Sequence, residues 1–290
     1  IWGSYADAGS ADGTAVVYTA GYYSDGQNRA CYWVNGQRRE LPAGTNDRAN
    51  SIFVNNNNVY IAGEHNNLTA CYWINGELFE LPGDEKAFSI FFYNGKIYTT
   101  TYTTSNPAKL WINDNESYHL TSSGITYPLS LFIENGNTYI AGYHSGSTPC
   151  YWVNGNRADL PYTGLSVAKS IYVSEGNIYI AGYNNGNIAC YWVNGVQILL
   201  DGSEANSIYV SEGKVYIAGS DFGSACFWID GVKHYLPWGT PSYARSIFVS
   251  GGKVYVAGQN STNACYWVDG VQHELDGTVA NSIYISRGLK

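Results

Sequence analysis

The chain has 290 residues, 45% of them hydrophobic and 13% charged, with a formal net charge of −8 from 15 basic and 23 acidic side chains. That apolar content suits a packed core rather than a disordered chain. No run of Lys or Arg exists to displace counterions from phosphates, so nucleic-acid binding and attachment to an anionic membrane are both disfavoured. No apolar run is long enough to insert across a bilayer.

Tyrosine (27) and tryptophan (9) are abundant, and Asn, Ser and Thr supply much of the polar surface. This composition is the one expected of an extracellular or cell-surface protein. The opening residues IWGSYADAGS carry no initiator Met and no charged-then-apolar leader, so a mature form or an excised piece is expected.

In chain order, an extension over residues 1–15 precedes three runs rich in Val, Tyr and Trp between Val17 and Leu41. From Ser51 the pattern lengthens to four runs, here named A to D: SIFV, VYIAG, ACYWI and ELFEL. The four-run unit recurs at about 51–81, 89–120, 130–160, 170–200, 207–236 and 246–275, and a lone A run, SIYIS, closes the chain at 282–286. The tryptophan of run C stands at Trp33, Trp73, Trp111, Trp152, Trp192, Trp228 and Trp267, with spacings from 36 (Trp192 to Trp228) to 41 (Trp111 to Trp152). A glycine-bearing turn such as SEGK joins A to B, and an Asn-Gly or Asp-Gly pair, first at Asn35-Gly36, joins C to D. Both suit tight hairpins, because a type I′ turn needs positive φ at its two central residues. Each unit therefore reads as a four-stranded antiparallel meander, with no sustained helical period.

Four-stranded units of about 40 residues point to an all-β, seven-bladed β-propeller. The orphan B–C–D set at the start and the orphan A run at 282–286 predict that the two chain ends combine into one blade and close the ring. The single domain resembles the seven-bladed β-propeller superfamily over most of its length. Its repeat is similar to those of uncharacterised bacterial tandem-repeat proteins that carry a Tyr-Trp-x-Asn-Gly string. It lacks the Trp-Asp and Gly-His pairs of WD-type repeats and the Gly-Gly pattern of Kelch repeats, and it departs from the sialidase box in register. The resemblance implies the fold and not an activity.

Six cysteines (Cys31, Cys71, Cys150, Cys190, Cys226 and Cys265) occupy one equivalent place in run C. With strands about 4.8 Å apart, run C lies roughly 15 Å from the axis and equivalent places in adjacent blades about 12 Å apart. A disulfide tolerates only roughly 4.4–6.8 Å between Cα atoms. No second Cys or His recurs beside them at metal-ligand spacing. They read as small buried hydrophobes, with no metal and no cofactor expected. In NPAKLWIND, Lys109 stands where the cysteine should be, and a partly solvated strand start is expected there.

The A–B and C–D turns are near-identical, whereas the B–C and D–A loops differ from blade to blade, so any site is placed on the face carrying those loops. Its candidates are Tyr22, Tyr23, Tyr143, His144, Tyr162, Tyr183, Trp238 and Tyr243. The residues just before run A are expected to ring the axial mouth: Asn50, Lys169, Asn206, Arg245 and Asn281. Aromatic, Asn-rich loops suit a non-catalytic recognition or adhesion module for a glycan or protein partner, which fits a place in a larger surface assembly. The alternative is a glycoside hydrolase or lyase, using two of the loop-face carboxylates Asp25, Glu64, Asp84, Glu85, Glu204 and Asp221 as an acid/base pair. No nucleophile–His–carboxylate set, phosphate loop or zinc spacing is present.

Overall fold

The computed structural model describes residues 15–42, 44–104, 108–114, 116–120, 125–237 and 241–287. These form seven four-stranded antiparallel sheets, each a meander whose first strand lies innermost. Blade 1 joins Val279–Arg287, from the end of the chain, to Ala15–Ser24, Asn28–Val34 and Gln37–Glu40. Blade 2 starts at Arg48–Asn55, blade 3 at Lys86–Tyr93, blade 4 at Thr126–Glu134, blade 5 at Val167–Ser174, blade 6 at Glu204–Ser211 and blade 7 at Ser242–Ser250. The chain is a seven-bladed β-propeller closed by its C-terminal strand. Ala15 pairs with Arg287, and the ladder runs on to Tyr22 opposite Val279.

The inner strands begin three or four residues earlier than the Ser-Ile-aromatic string, because pairing to the second strand continues past a bulge. In blade 2 the register slips between Ala49 and Ser51, so that Asn50 is the extra residue. The same slip recurs in every blade, for instance between Ala168 and Ser170. The glycine of the Ala-Gly pair in the second strand makes room for it. A Cβ on Gly63 would lie 2.0 Å from the Arg48 carbonyl oxygen, and one on Gly182 1.9 Å from that of Val167. In six blades a residue without a side chain allows this close approach, whereas in blade 3 the same place holds Thr101.

The repeated serine satisfies the free edge of the neighbouring inner strand. Its Oγ accepts the amide N–H of the following blade at 3.1–3.3 Å, from Ser282 to Ile52, Ser51 to Ile90, Ser89 to Leu131, Ser130 to Ile171, Ser170 to Ile208, Ser207 to Ile247 and Ser246 to Ile283. An unpaired edge donor turned to a narrow channel would otherwise go unsatisfied. Ser170→Ala should cost about 1 kcal/mol and speed hydrogen exchange at the Ile208 amide. Unchanged exchange there would dismiss the serine ring as a stabilising device.

Two residues after each serine, the Phe or Tyr of the string forms a second ring. Phe53, Phe91, Phe132, Tyr172, Tyr209, Phe248 and Tyr284 touch in sequence around the axis, with neighbouring centroids 4.6–5.5 Å apart. At the opposite edge of the sheet, the Asn or Asp of each C–D turn sits at φ near +50°. Its side-chain oxygen accepts from the start of the second strand, as Asn35 does from Val17 N and Asp230 from Val215 N, both at 2.9 Å. These two demands together select Asn or Asp over other residues tolerant of positive φ.

Blades pack through the tryptophans, six of which are fully buried. Trp73 and Cys71 sit among Ala20, Ala30 and Leu41 of the preceding blade, and Trp192 and Cys190 among Ala141 and Leu160. The indole N–H of Trp33, Trp152, Trp192 and Trp228 reaches back to a carbonyl at the end of the preceding blade, as Trp152 does to Leu120 O at 2.9 Å and Trp228 to Asp201 O at 3.2 Å. Burying an indole of 150–250 Å² contributes about 4–6 kcal/mol before entropy is charged against it. All six cysteines are buried free thiols. Burial pushes the thiols of Cys190, Cys226 and Cys265 up to about 12.

Blade 3 corrects the expectation of a solvated strand start at Lys109. The lysine side chain is only 13% exposed, and its Nζ lies 2.9 Å from Oδ1 of the buried Asp84. The Trp111 Nε1–H donates to Asp84 Oδ2 at 2.7 Å and lies 3.0 Å from Thr101 Oγ1. In blades 6 and 1 the place of Asp84 is glycine: a Cβ on Gly202 would meet Trp228 at 2.6 Å, and one on Gly277 would meet Trp33 at 2.4 Å. Lysine is tolerated at the cysteine position because a carboxylate has entered the space opposite and the indole has changed partners.

Candidate functional site

The seven bulges place Asn281, Asn50, Phe88, Leu129, Lys169, Asn206 and Arg245 at one level, at the loop-face end of the inner strands. Three of these are committed to holding the ring. The side-chain amides of Asn50, Asn206 and Asn281 donate to Ala87 O, Ala244 O and Ala49 O, each at 2.9 Å. Arg245 is exposed and donates to Gln259 Oε1 at 2.9 Å. Lys169 is about a quarter exposed. Its ammonium lies 2.9 Å from Glu204 Oε2, 2.8 Å from Asn206 Oδ1 and 5.2 Å from the Tyr183 ring centroid. Desolvation pulls its pKa below the usual lysine value against the opposing effect of Glu204.

Over blades 3 to 5 this level opens into a pocket of about 540 Å³. Phe88, Leu129 and Lys169 line it from the bulges, Tyr102, Tyr143 and Tyr183 from the second strands, and Lys86, Tyr127 and Val167 from their inner-strand partners. Three tyrosines form a stack: Tyr102 on Tyr127 at 4.3 Å and 15°, and Tyr127 on Tyr143 at 4.6 Å and 11°. The stack follows from register, since Tyr127 and Tyr143 are direct cross-strand partners and Tyr102 is the matching residue of the blade before. Tyr127 and Tyr102 share a hydroxyl contact of 3.1 Å. Burial pushes the Tyr143 hydroxyl up to about 12, and burial with the Tyr127 contact raises Tyr102 as well. Both phenols stay neutral at physiological pH and present O–H groups at the edge of an apolar wall. At the rim Glu85 accepts from Thr104 N at 3.1 Å and from the Thr103 and Thr104 hydroxyls, which hold its carboxyl below the usual carboxylate range.

The eight loop-face candidates separate into groups. Tyr143 and Tyr183 line the pocket. Tyr22 occupies the matching place in blade 1, 5.4 Å below the Arg48 guanidinium, whereas Tyr243 holds the inner-strand place of Tyr127 in blade 7, opposite Gln259. Tyr23, one residue on from Tyr22, turns to the other side of the sheet, as strand alternation requires. It lies beneath Arg38 at 4.2 Å and its hydroxyl donates to Glu40 at 3.4 Å. His144 turns the same way, towards Asp159 at 3.2 Å. Tyr162 is 44% exposed, with its hydroxyl 3.3 Å from Thr148 Oγ1. Trp238 lies outside the described residues.

Phe88 and Leu129 are pocket residues that a search for polar side chains passes over, although they hold the same place, just before the repeated serine, as Asn50 and Lys169. Tyr127 and Lys86 are found the same way, two residues further back.

The six loop-face carboxylates are all engaged. Asp25 pairs with Arg29 at 3.4 Å, Glu64 with Arg48 and Lys86 at 3.5 Å, Asp84 with Lys109 at 2.9 Å and Glu204 with Lys169 at 2.9 Å. Asp221 is held below the usual carboxylate range by hydrogen bonds from Lys233 and Tyr235, and Glu85 by its threonines. A general acid for glycoside cleavage needs the opposite shift.

No protein-family profile matches this chain, and no curated protein matches it. Solved structures do. A Bacteroides fragilis protein provisionally named a 6-phosphogluconolactonase aligns over 94% of this chain and 98% of its own, at 11% identity and a TM-score of 0.58. The computationally designed protein Ika8 aligns over 93% and 83%, at 14% identity and a TM-score of 0.52. A chain of a nidogen/laminin complex aligns over 93% and 98%, at 10% identity and a TM-score of 0.51. At such identities the likeness is one of fold.

Proposed function

We propose that the chain is a non-catalytic recognition module, which takes its ligand on the loop face at the tyrosine pocket of blades 3 to 5. The observation that carries this reading is the asymmetry of the mouth. Seven blades nearly identical at their turns differ at the bulge level, where the described residues of blades 3 to 5 form a concave, aromatic sector. Its volume lies within the range of small-ligand pockets and leaves room for a sugar residue or a protein side chain. Exposed apolar tips on the same loops favour a protein partner: Leu68 at 59%, Ile125 at 48%, Leu165 at 64% and Phe222 at 74% exposure. Phe222 also holds φ at +44°, a left-handed conformation that a bulky side chain seldom adopts. A setting outside the cell or on its surface belongs to this reading, as does membership of a larger assembly. Neutralised carboxylates give the hydrolase reading no support.

The test has two arms, capture of protein partners and a glycan array, each run with wild type, Tyr143→Ala, Lys169→Ala and the turn-face control Glu212→Ala. Loss of a central anchor is expected to cost about 2 kcal/mol, roughly thirty-fold in Kd, while Glu212→Ala binds as wild type. A ligand that responds only to the turn-face change would place the site on the wrong side of the disc.

A further inference from the structure

Blade 4 brings together three donors that the sequence keeps apart. Cys150 lies directly opposite Asp159 across one hairpin and opposite Gly142 across another, and His144 ends the strand that Gly142 belongs to. Strand pairing therefore gathers an imidazole, a thiol and a carboxylate from positions six and nine residues apart. We propose that His144 Nε2, Cys150 Sγ and a carboxylate oxygen of Asp159 form a three-donor site for a divalent transition-metal ion of borderline softness, zinc above all.

The three donor atoms lie within 4.8 Å of one another, and among the described residues they are the one such group of His, Cys, Asp or Glu. With Zn–S near 2.3 Å and Zn–N or Zn–O near 2.0 Å, tetrahedral geometry wants donors roughly 3.3–3.5 Å apart. His144 Nε2 and Asp159 Oδ1 already stand at 3.2 Å. His144 Nδ1 lies 3.1 Å from Ser145 Oγ, so Nδ1–H can donate to that hydroxyl and leave the Nε2 lone pair for the metal. The thiol lies at the closed end of the group with no exposure, and the Asp159 side chain, 48% exposed, lies at the open end, where water completes the coordination. As the metal–sulfur bond forms, the thiol proton passes to solvent. The thiolate and carboxylate then balance the two positive charges.

Blade 2 is an internal control. His65, Cys71 and Glu80 hold the three matching places in the same register. There the imidazole is drawn away, its Nδ1 3.2 Å from the buried Asp47, which also accepts from Asn66 N at 2.8 Å. In blade 4 the place of Asp47 is taken by Thr126, and His144 turns to the cysteine side instead. One cation competes for the proposed site: Arg157 Nε lies 3.2 Å from Asp159 Oδ1.

The experiment titrates the metal-free protein with Zn²⁺ by calorimetry and with Co²⁺ by absorption, following the thiolate-to-cobalt charge-transfer band. Expected are one ion per chain and a charge-transfer band in wild type and in Cys71→Ser, with no band in Cys150→Ser. His144→Ala should weaken binding by more than the roughly 10–100-fold that loss of an outer-shell partner costs, and Arg157→Ala should tighten it. Absence of the band, or a band that survives Cys150→Ser, overturns the proposal. Should Cys150→Ser fail to fold, the surface variants His144→Ala and Asp159→Asn decide, and binding unaffected by both is equally fatal.

Discussion

Ending the chain at Thr278 is expected to leave a protein that no longer folds cooperatively at room temperature. The strand removed, Val279–Arg287, is the inner strand of blade 1, and its loss bares the edge of Ala15–Ser24. Val279, Ile283 and Ile285 are all buried, at 3%, 4% and 5% exposure. Their burial is worth about 1.5–3 kcal/mol each, so these three alone contribute about 5–9 kcal/mol against a typical total of 5–15. Further losses follow at both neighbours. Ser282 no longer accepts from Ile52 N, Asn281 no longer donates to Ala49 O, and the aromatic ring opens at Tyr284. The measurement is a thermal melt followed by circular dichroism, and a truncated chain melting within a few degrees of the full one would refute the closure. A synthetic peptide covering residues 277–287, added in trans, should restore the transition.

That the ends must meet was legible in the sequence, because strand runs can be counted without knowing any contact. Turn chemistry was legible too, since Asn-Gly and Asp-Gly pairs have few other uses between apolar runs. The role of the repeated serine was not. Run A looks like an ordinary strand start, and only the ring geometry reveals that its hydroxyl serves the amide of the next blade. The bulge was hidden for a related reason. Its one sequence trace is the Ala-Gly pair of run B, and a glycine in a strand signals close approach without saying to what.

The candidate site was legible by face and by level, but not by sector. Loop variety pointed to the end of the blades at which Tyr143 and Tyr183 line the pocket. Polarity then misled at the mouth: Asn50, Asn206 and Asn281 spend their amides on inter-blade hydrogen bonds, while Phe88 and Leu129 line the pocket. In a ring of equivalent positions, side chains that fasten the scaffold are alike, and those that break the pattern are the ones free to shape a cavity.

The same logic governs blade 3, where Lys109→Ala is expected to cost about 3–5 kcal/mol, because it leaves the Asp84 carboxylate buried without its cation. For a chain of this size each kcal/mol moves Tm by roughly 2–4 °C, so the melt should fall on the order of 10 °C. Substitution at an ordinary exposed lysine such as Lys214 should change stability by less than about 0.5 kcal/mol. The cost belongs to the abandoned charge and not to the lysine itself, which makes the prediction separable from simple loss of packing. Asp84→Gly alone strands the ammonium and leaves Trp111 only the longer contact to Thr101 Oγ1. Restoring the repeat at all three places, with Asp84→Gly, Thr101→Gly and Lys109→Cys together, should recover most of the loss by returning Trp111 to the pose held by Trp228. Coupling between Asp84 and Lys109 in a double-mutant cycle should reach the upper part of the usual range of about 0.5–3 kcal/mol for residues in contact. Additive single effects would mean that the ion pair, though buried and well placed at 2.9 Å, does not hold this blade together.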